Sequence, residues 1–356
     1  MMKKLLILAA LTANALFAQR YERLIETRTI SNHEIVGAQY DAASNSVFIL
    51  SNVTNQNGNG LLAKVNALNG DTIWSKFVAP TVQQENFKGL YKSSNALFAY
   101  GLRTFQSAQY AFIAKLDFNG DTIWTKHYKT LATTCTNPHI TINGLTELAN
   151  GDLVLVGRNN ACDRAVLLKT NSLGVVSFIK EYDQWLQNIY SPLWEFYGIE
   201  SNGTNYFVSA RYGKAQQNWD YYKGIWKLDL NGDLDTSFNS QFAQSSEIFG
   251  FKMDASGNFY LLGQHNPITQ NVGILEKFNN AGASQWAYSP SGVTIQWSGI
   301  TDIEFDASGD VLVSGFFQKQ NQSVDQFASR INASTGAEVW VKQYGYNDNG
   351  YGRELV

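Results

Sequence analysis

One block recurs six times along this chain: AKVNALNGDTIWSKF (63–77), AKLDFNGDTIWTKHY (114–128), LKTNSLGVVSFIKEY (168–182), WKLDLNGDLDTSFN (226–239), EKFNNAGASQWAYS (276–289) and SRINASTGAEVWVKQY (329–344). The basic residue near each start, Lys64, Lys115, Lys169, Lys227, Lys277 and Arg330, returns at intervals of 51, 54, 58, 50 and 53 residues. A period of about 50 residues is what propeller blades or long solenoid units produce, because each repeat must bury its apolar face against the next. Every block reads as a β-hairpin: a short alternating strand, a turn such as Asn119-Gly120-Asp121 where glycine supplies positive φ, then a strand carrying Trp or Phe. These are strands c and d of a four-stranded blade. Upstream of each lies a second hairpin, strands a and b, as in GLTELANGDLVLVG (144–157) and ITDIEFDASGDVLVSG (300–315).

A second mark keeps the same register. Glycine opens strand a at Gly37, Gly89, Gly144, Gly198, Gly250, Gly299 and Gly352. Seven strand-a starts therefore meet six c–d hairpins. Residues 21–26 stand where a strand d would stand, and the last strand a begins at Gly352. The expectation is an all-β fold, a β-propeller of six complete four-stranded antiparallel blades plus a partial blade shared between the two ends. It becomes seven-bladed if the sequence is a truncated record.

Composition agrees, with 29 Gly, 21 Phe, 18 Tyr and 9 Trp against 5 Pro. A net charge of −3 and the lack of a Lys/Arg run beyond the first four residues argue against a nucleic-acid partner. Lys3-Lys4, an apolar stretch from Leu5 to Leu11 and small residues up to Ala18 have the three parts of a secretory signal peptide. Residues 1–18 are therefore set apart, and residues 19–356 are expected to form one propeller domain with an incomplete closing blade. No segment approaches about 18 consecutive apolar residues, so no membrane span is expected. The mature chain is expected to be a monomer, secreted or held at the cell surface, with the periplasm as an alternative.

The pattern resembles the secreted propeller-repeat proteins of bacteria that use the type IX secretion pathway, whose blades run "aKlD.nGdt.W.k.y". Residues 64–77, 115–128 and 330–344 carry the match, with Gly157, Gly263 and Gly315 closing strand b. The resemblance covers nearly the whole mature chain and implies a blade, not an activity. The C-terminal sorting domain usual in such cargo is not seen here, which fits a truncated record. Residues 332–340 are also similar, in part, to the tryptophan-docking blade motif of quinoprotein dehydrogenases.

Strand alternation sends the d-to-a and b-to-c connections to one face, and these are the long, variable ones on which function usually sits. Two of them flank blade four: QWLQNIYSPLWEFY (184–197) and RYGKAQQNWDYYKG (211–224). They bring Trp185, Tyr190, Trp194, Trp219, Tyr221 and Tyr222 together with Arg211 and Asp220, a set suited to stacking on sugar rings or gripping a peptide. The competing reading is that these aromatics pack the loops against one another. Three residues before a strand-a glycine stand Glu34, Glu195 and Glu247, placed to line the channel mouth; they can hold Ca²⁺ or orient a sugar hydroxyl, or else form a solvated rim. No cofactor is otherwise called for. The Asp-x-Asn-Gly-Asp runs at 117–121 and 229–233 read as hairpin turns, since their glycine falls early for a calcium loop.

Cys135 and Cys162, the only cysteines, fall on the same face of blade three and are expected to form a disulfide. The leading functional expectation is a non-catalytic binding propeller that recognises a glycan or a protein through the loop face of blades three to five. One alternative is a glycan hydrolase or lyase using Glu195 and Glu247 as acid and base. The other is a structural repeat module of a longer surface protein.

Overall fold

The computed structural model describes residues 33–53, 60–78, 84–105, 108–129, 140–182, 193–213, 221–241, 247–265, 272–290, 295–306, 308–319, 324–346 and 352–355. All regular structure among them is β, and the chain divides into two compact units, the described residues up to Tyr182 belonging to the first and those from Leu193 on to the second.

The first unit holds three sheets. Blade one is β1 (His33–Asp41), β2 (Ser46–Val53), β3 (Gly60–Asn66) and β4 (Thr72–Val78). Blade two is β5 (Gln84–Lys92), β6 (Leu97–Phe105), β7 (Ala108–Leu116) and β8 (Thr122–Tyr128). Blade three is β9 (Ile140–Glu147), β10 (Leu153–Asn159), β11 (Arg164–Thr170) and β12 (Val176–Tyr182). The second unit holds the other three. Blade four is β13 (Leu193–Ser201), β14 (Asn205–Gly213), β15 (Tyr221–Asp229) and β16 (Leu234–Gln241). Blade five is β17 (Glu247–Met253), β18 (Phe259–His265), β19 (Val272–Phe278) and β20 (Ser284–Tyr288). Blade six is β21 (Ile295–Phe305), β22 (Val311–Lys319), β23 (Val324–Ile331) and β24 (Glu338–Tyr346), with β25 (Gly352–Leu355) added. Each blade is a consecutive antiparallel meander, and together these are the blades of a β-propeller.

The turns fold as their sequence dictates. Asp117 Oδ1 accepts the backbone N–H of Asn119 at 2.9 Å and of Asp121 at 2.8 Å, while Gly120 takes φ +80°. Asp229 does the same for Asn231 and Asp233, and Asn171, Asp254, Asn279 and Asp306 repeat the device. The Asp117 and Asp229 carboxylates are thus spent on closing hairpin turns, as expected for Asx-type turn residues.

Strand a of blades one to five bulges just before its glycine, while that of blade six bulges two residues after it, at Thr301. The pairing register slips between Ile35 and Gly37, Phe87 and Gly89, Phe196 and Gly198, and Ile248 and Gly250. The bulge drives a strand-a carbonyl against strand b, and glycine stands there in blades two, three and five. A Cβ on Gly101, Gly157 or Gly263 would lie inside the carbonyl oxygen of Asn86, Thr141 or Glu247 respectively. That contact explains the glycines which close strand b in the repeat. Blades one and four have Ser51 and Ala210 at this register.

Blades one and two, two and three, and five and six are joined by a recurring contact. The Trp74 indole of blade one covers Gly120 in the c–d turn of blade two, where a Cβ would stand 2.7 Å from the ring. Trp124 covers Gly174 in the same way, and Trp286 covers Gly336 in the second unit. Polar bonds flank these seats: Lys76 Nζ to Asp121 at 2.6 Å, Tyr128 Oη to the Gly174 carbonyl at 2.9 Å, and Trp286 Nε1 to the Ala333 carbonyl at 3.1 Å. Between the seams lie mixed cores, such as Phe48, Leu62, Phe87 and Phe112 in the first unit and Phe207, Ile225, Phe259 and Phe278 in the second. At the other end of the seam between blades one and two, the Asn52 amide binds both the N–H and the carbonyl of Phe87, at 2.8 and 3.0 Å.

The segment that begins at Gly352 is a strand, but not the inner strand of a further blade. β25 pairs antiparallel with β24 as a fifth, outermost strand of blade six. The physical reason is supply of partners: an inner strand needs a strand b beside it, whereas the outer edge of β24 already offers open N–H and C=O groups. The segment at 21–26 lies outside the described residues.

Inner strands of the second unit gather a charged group near the a–b turns. Lys252 Nζ lies 2.6 Å from Glu304 Oε2. Burial pushes the neighbouring Glu200 carboxyl up to about 7, with Lys252 opposing and Glu304 reinforcing the shift, and burial raises Asp302 as well.

Three measurements follow from this packing. Changing Gly263 to Ala places a methyl inside a backbone carbonyl and should cost about 2 kcal/mol or more in urea unfolding, a loss typical of overpacking. Trp124→Ala empties the seat on Gly174 and should cost roughly 2–4 kcal/mol; an unchanged midpoint would show that the seam does not bear on stability. Because Glu200 is raised from 4.5 to about 7 in the folded chain, its contribution to stability is full at low pH and lost as pH rises through about 7. Glu200→Gln should therefore be more stable than the parent at pH above 7, with the difference shrinking towards pH 5, as thermal melts across that range would show.

Candidate functional site

The candidate site is built on the loop-side ends of β13, β14, β15 and β17, all in the second unit. Glu195 of β13 stands opposite Arg211 of β14, and Arg211 stands opposite Lys223 of β15, so three charged side chains form one row across blade four. Two register slips in β13, between Leu193 and Glu195 and between Phe196 and Gly198, make Trp194 and Tyr197 the extra residues of two bulges. Bulges re-aim side chains beside sites, and both of these turn towards Arg211. The guanidinium lies 5.6 Å from the centre of the Trp194 ring, in range of a cation–π contact. Tyr197 hydrogen-bonds with Arg211 and Glu195, and burial pushes its phenol up to about 12.

Lys223 is only 9% exposed. Burial brings its ammonium down to about 8, Arg211 adds to the fall, and Glu247 and Glu195 resist it. Glu247, at the start of β17, is exposed and accepts a hydrogen bond from Gln264 Nε2 at 3.3 Å. The arrangement is a half-buried aromatic beside two cations and two carboxylates, able to offer both donors and acceptors to a hydroxylated or charged ligand.

Blade two provides the contrast. There the residues in register with Glu195, Arg211 and Lys223 are Asn86, Leu102 and Ala111, and one position further towards the loop side Glu85 and Arg103 form a buried ion pair of 2.7 Å, with the guanidinium 3.9 Å from the Phe112 ring centre and Tyr110 as its strand-c neighbour.

Of the residues marked in the sequence, the structure brings together Trp194, Glu195, Arg211 and Glu247. Arg211, Tyr221 and Tyr222 were expected in a loop and instead lie on strands: Tyr221 pairs with Gly213 and Tyr222 with Tyr212, because tyrosine-rich ends extend the β14–β15 hairpin. Trp194 is likewise inside β13. Trp185, Tyr190, Trp219, Asp220 and Cys135 lie outside the described residues, as do the side chains of Tyr221, Tyr222 and Glu34. Glu34 belongs to the first unit, opposite Asn52. Cys162 sits between β10 and β11, its N–H donating to the Asn159 carbonyl at 3.4 Å. Tyr197 and Lys223 were not singled out in the sequence. Tyr197 had a usable signal, since it precedes the strand-a glycine, where a bulge falls in blades one to five.

Among the described residues no group of three or more His, Cys, Asp or Glu side chains is placed to hold a metal ion, and no helix is long and apolar enough to cross a membrane.

No protein-family model matches the sequence, and no curated protein matches it. The fold does match solved structures. An ulvan lyase of polysaccharide lyase family 25, bound to -[GlcA(1-4)Rha3S]-, superposes with a TM-score of 0.53 at 11% identity, over 85% of this chain and 81% of that one. A putative 6-phosphogluconolactonase from Bacteroides fragilis superposes with a TM-score of 0.51 at 13% identity, over 89% of this chain and 96% of that one. At such identities the likeness is one of fold: the chain shares the β-propeller architecture of these proteins.

Proposed function

We propose that this protein is an exported, non-catalytic propeller that binds a glycan through the loop-side end of blade four. The observation that carries the reading is the Trp194 ring set by a bulge beside the Arg211 guanidinium, with Glu195, Tyr197, Lys223 and Glu247 around it. A flat aromatic face binds the apolar face of a pyranose, and charged groups at its rim take the hydroxyls. The bound glycan of the ulvan lyase is a precedent for sugar recognition on this fold, and no more than that. Trp185, Tyr190, Trp219, Asp220, Tyr221 and Tyr222 belong to the same proposal through their sequence positions.

Residues 1–18 are proposed to be a cleaved signal peptide, with residues 19–356 forming one propeller domain that is secreted or cell-surface bound, in keeping with the resemblance to type IX cargo. Cys135 and Cys162 are proposed to pair as a disulfide; no free cysteine stands among the described residues. A second reading, acid–base cleavage of a glycan, draws on one observation: Glu195 and Glu247 both act on the Lys223 ammonium.

The test is a glycan and polysaccharide array with the purified mature protein beside Trp194→Ala, each checked for fold by circular dichroism. Binding should weaken by about tenfold or more in the folded variant, as for an aromatic anchor at the centre of a contact. Equal binding by both proteins would remove Trp194 from the site, no binding by either would sink the glycan reading in favour of a protein ligand, and release of new reducing ends would establish the cleavage reading.

A further inference from the structure

Among the described strand registers, Arg211 and Lys223 are the one pair of cations placed directly opposite each other. Like charges in that relation repel at a separation of about 5 Å, and the cost is greater where water is excluded. Every other cation at a loop-side end of strand b or c in these registers faces a different kind of residue: Arg103 has Glu85 and Tyr110, Arg158 has Thr141 and Ala165, Arg164 has Asn159, and Lys319 has Ile295. In blade four Glu195 stands on the far side of Arg211 from Lys223, and Glu247 approaches from the next blade. These two carboxylates do not restore the Lys223 ammonium to its ordinary strength, for its affinity for a proton remains lowered.

We propose that the Arg211–Lys223 pair is the recognition site for the anionic group of an acidic sugar, a ring carboxylate or sulfate, whose pyranose lies on Trp194. This rests on the glycan reading above and goes beyond it by naming the ligand's charge. A bound anion relieves the repulsion between the two cations and gives Arg211 and Lys223 a shared acceptor. The groups that face Lys223 are Glu195 on β13, Arg211 on β14 and Glu247 on β17. An anion added to this set favours the charged ammonium, so binding takes up protons around the pH where Lys223 titrates. General electrostatic attraction cannot substitute for this site, since the chain carries a net charge of −3.

The experiment is calorimetric titration of the mature protein with polygalacturonate, a sulfated galactan and a neutral galactan, one pH unit below and above 8, in two buffers of different ionisation enthalpy. The expected result is about tenfold or greater preference for one or both anionic polymers, stronger below pH 8 than above it, with proton uptake. Which anionic polymer binds decides between carboxylate and sulfate. Lys223→Met, which keeps the length and apolar body of the buried side chain, should abolish the preference and the pH dependence while leaving the fold intact by circular dichroism. Arg211→Gln should also lower the preference. Neutral and anionic galactans binding alike, with Trp194→Ala weakening both, would overturn the acidic-sugar inference and leave the glycan reading standing. Full preference retained in Lys223→Met would overturn it too, and no binding to any polymer would remove both.

Discussion

The seat of a strand-d tryptophan on the turn glycine of the following blade is the contact that joins blades one, two and three in the first unit and blades five and six in the second. A four-stranded sheet by itself exposes both faces and has too little buried surface to persist. Stacking cures this only if each blade meets the next in one register. The seats Trp74 on Gly120, Trp124 on Gly174 and Trp286 on Gly336 provide that register. They need a residue with no side chain and positive φ, and the turn supplies one because an Asx side chain at its start holds two N–H groups, two and four residues on at Asp117 and Asn171, two and three on at Asn332. Local turn chemistry and blade-to-blade packing are therefore one requirement seen at two scales.

This coupling explains what was legible in the sequence. Block period, turn glycines and the tryptophans are local, so four-stranded blades could be read directly, as could the role of Asp117 and Asp229 in turns. Other features depend on partners far along the chain. The strand-b glycines were visible as a pattern, but the carbonyl of Thr141 pressing on Gly157 is known only once strands a and b are paired. Likewise the position of β25 depends on which edge is open, and its glycine gives no hint that it will join β24 from outside. At the site, Glu195 and Arg211 were marked from composition and placement. Lys223 was passed over because a lysine in a run of aromatics reads as solvated until a cross-strand arginine is found beside it.

Blades two and four show how one frame serves two purposes. In blade two the strand-b arginine is closed off by its own carboxylate and a buried phenyl ring, an arrangement complete in itself. In blade four the charged row Glu195, Arg211 and Lys223 stands where blade two has Asn86, Leu102 and Ala111, and an additional bulge sets Trp194 beside it. An extra residue in strand a and charged side chains at three positions that are neutral in blade two give blade four a charged row beside an aromatic ring. Repeat folds lend themselves to this because neighbouring blades carry the scaffold while one departs from the pattern.

Asn52 adds a mechanical consequence. Its amide holds the backbone of Phe87 by two bonds, imitating a strand partner across the gap between blades one and two, while Trp74 and the Lys76–Asp121 pair hold the opposite end of the same seam. A joint fastened at one end is a hinge; fastened at both, it is a plate. Splaying these blades apart breaks the buried Asn52 bonds at one end, which water replaces only after the core has opened, and lifts Trp74 off its turn at the other, so the pair meets load or an arriving molecule with a shape already set.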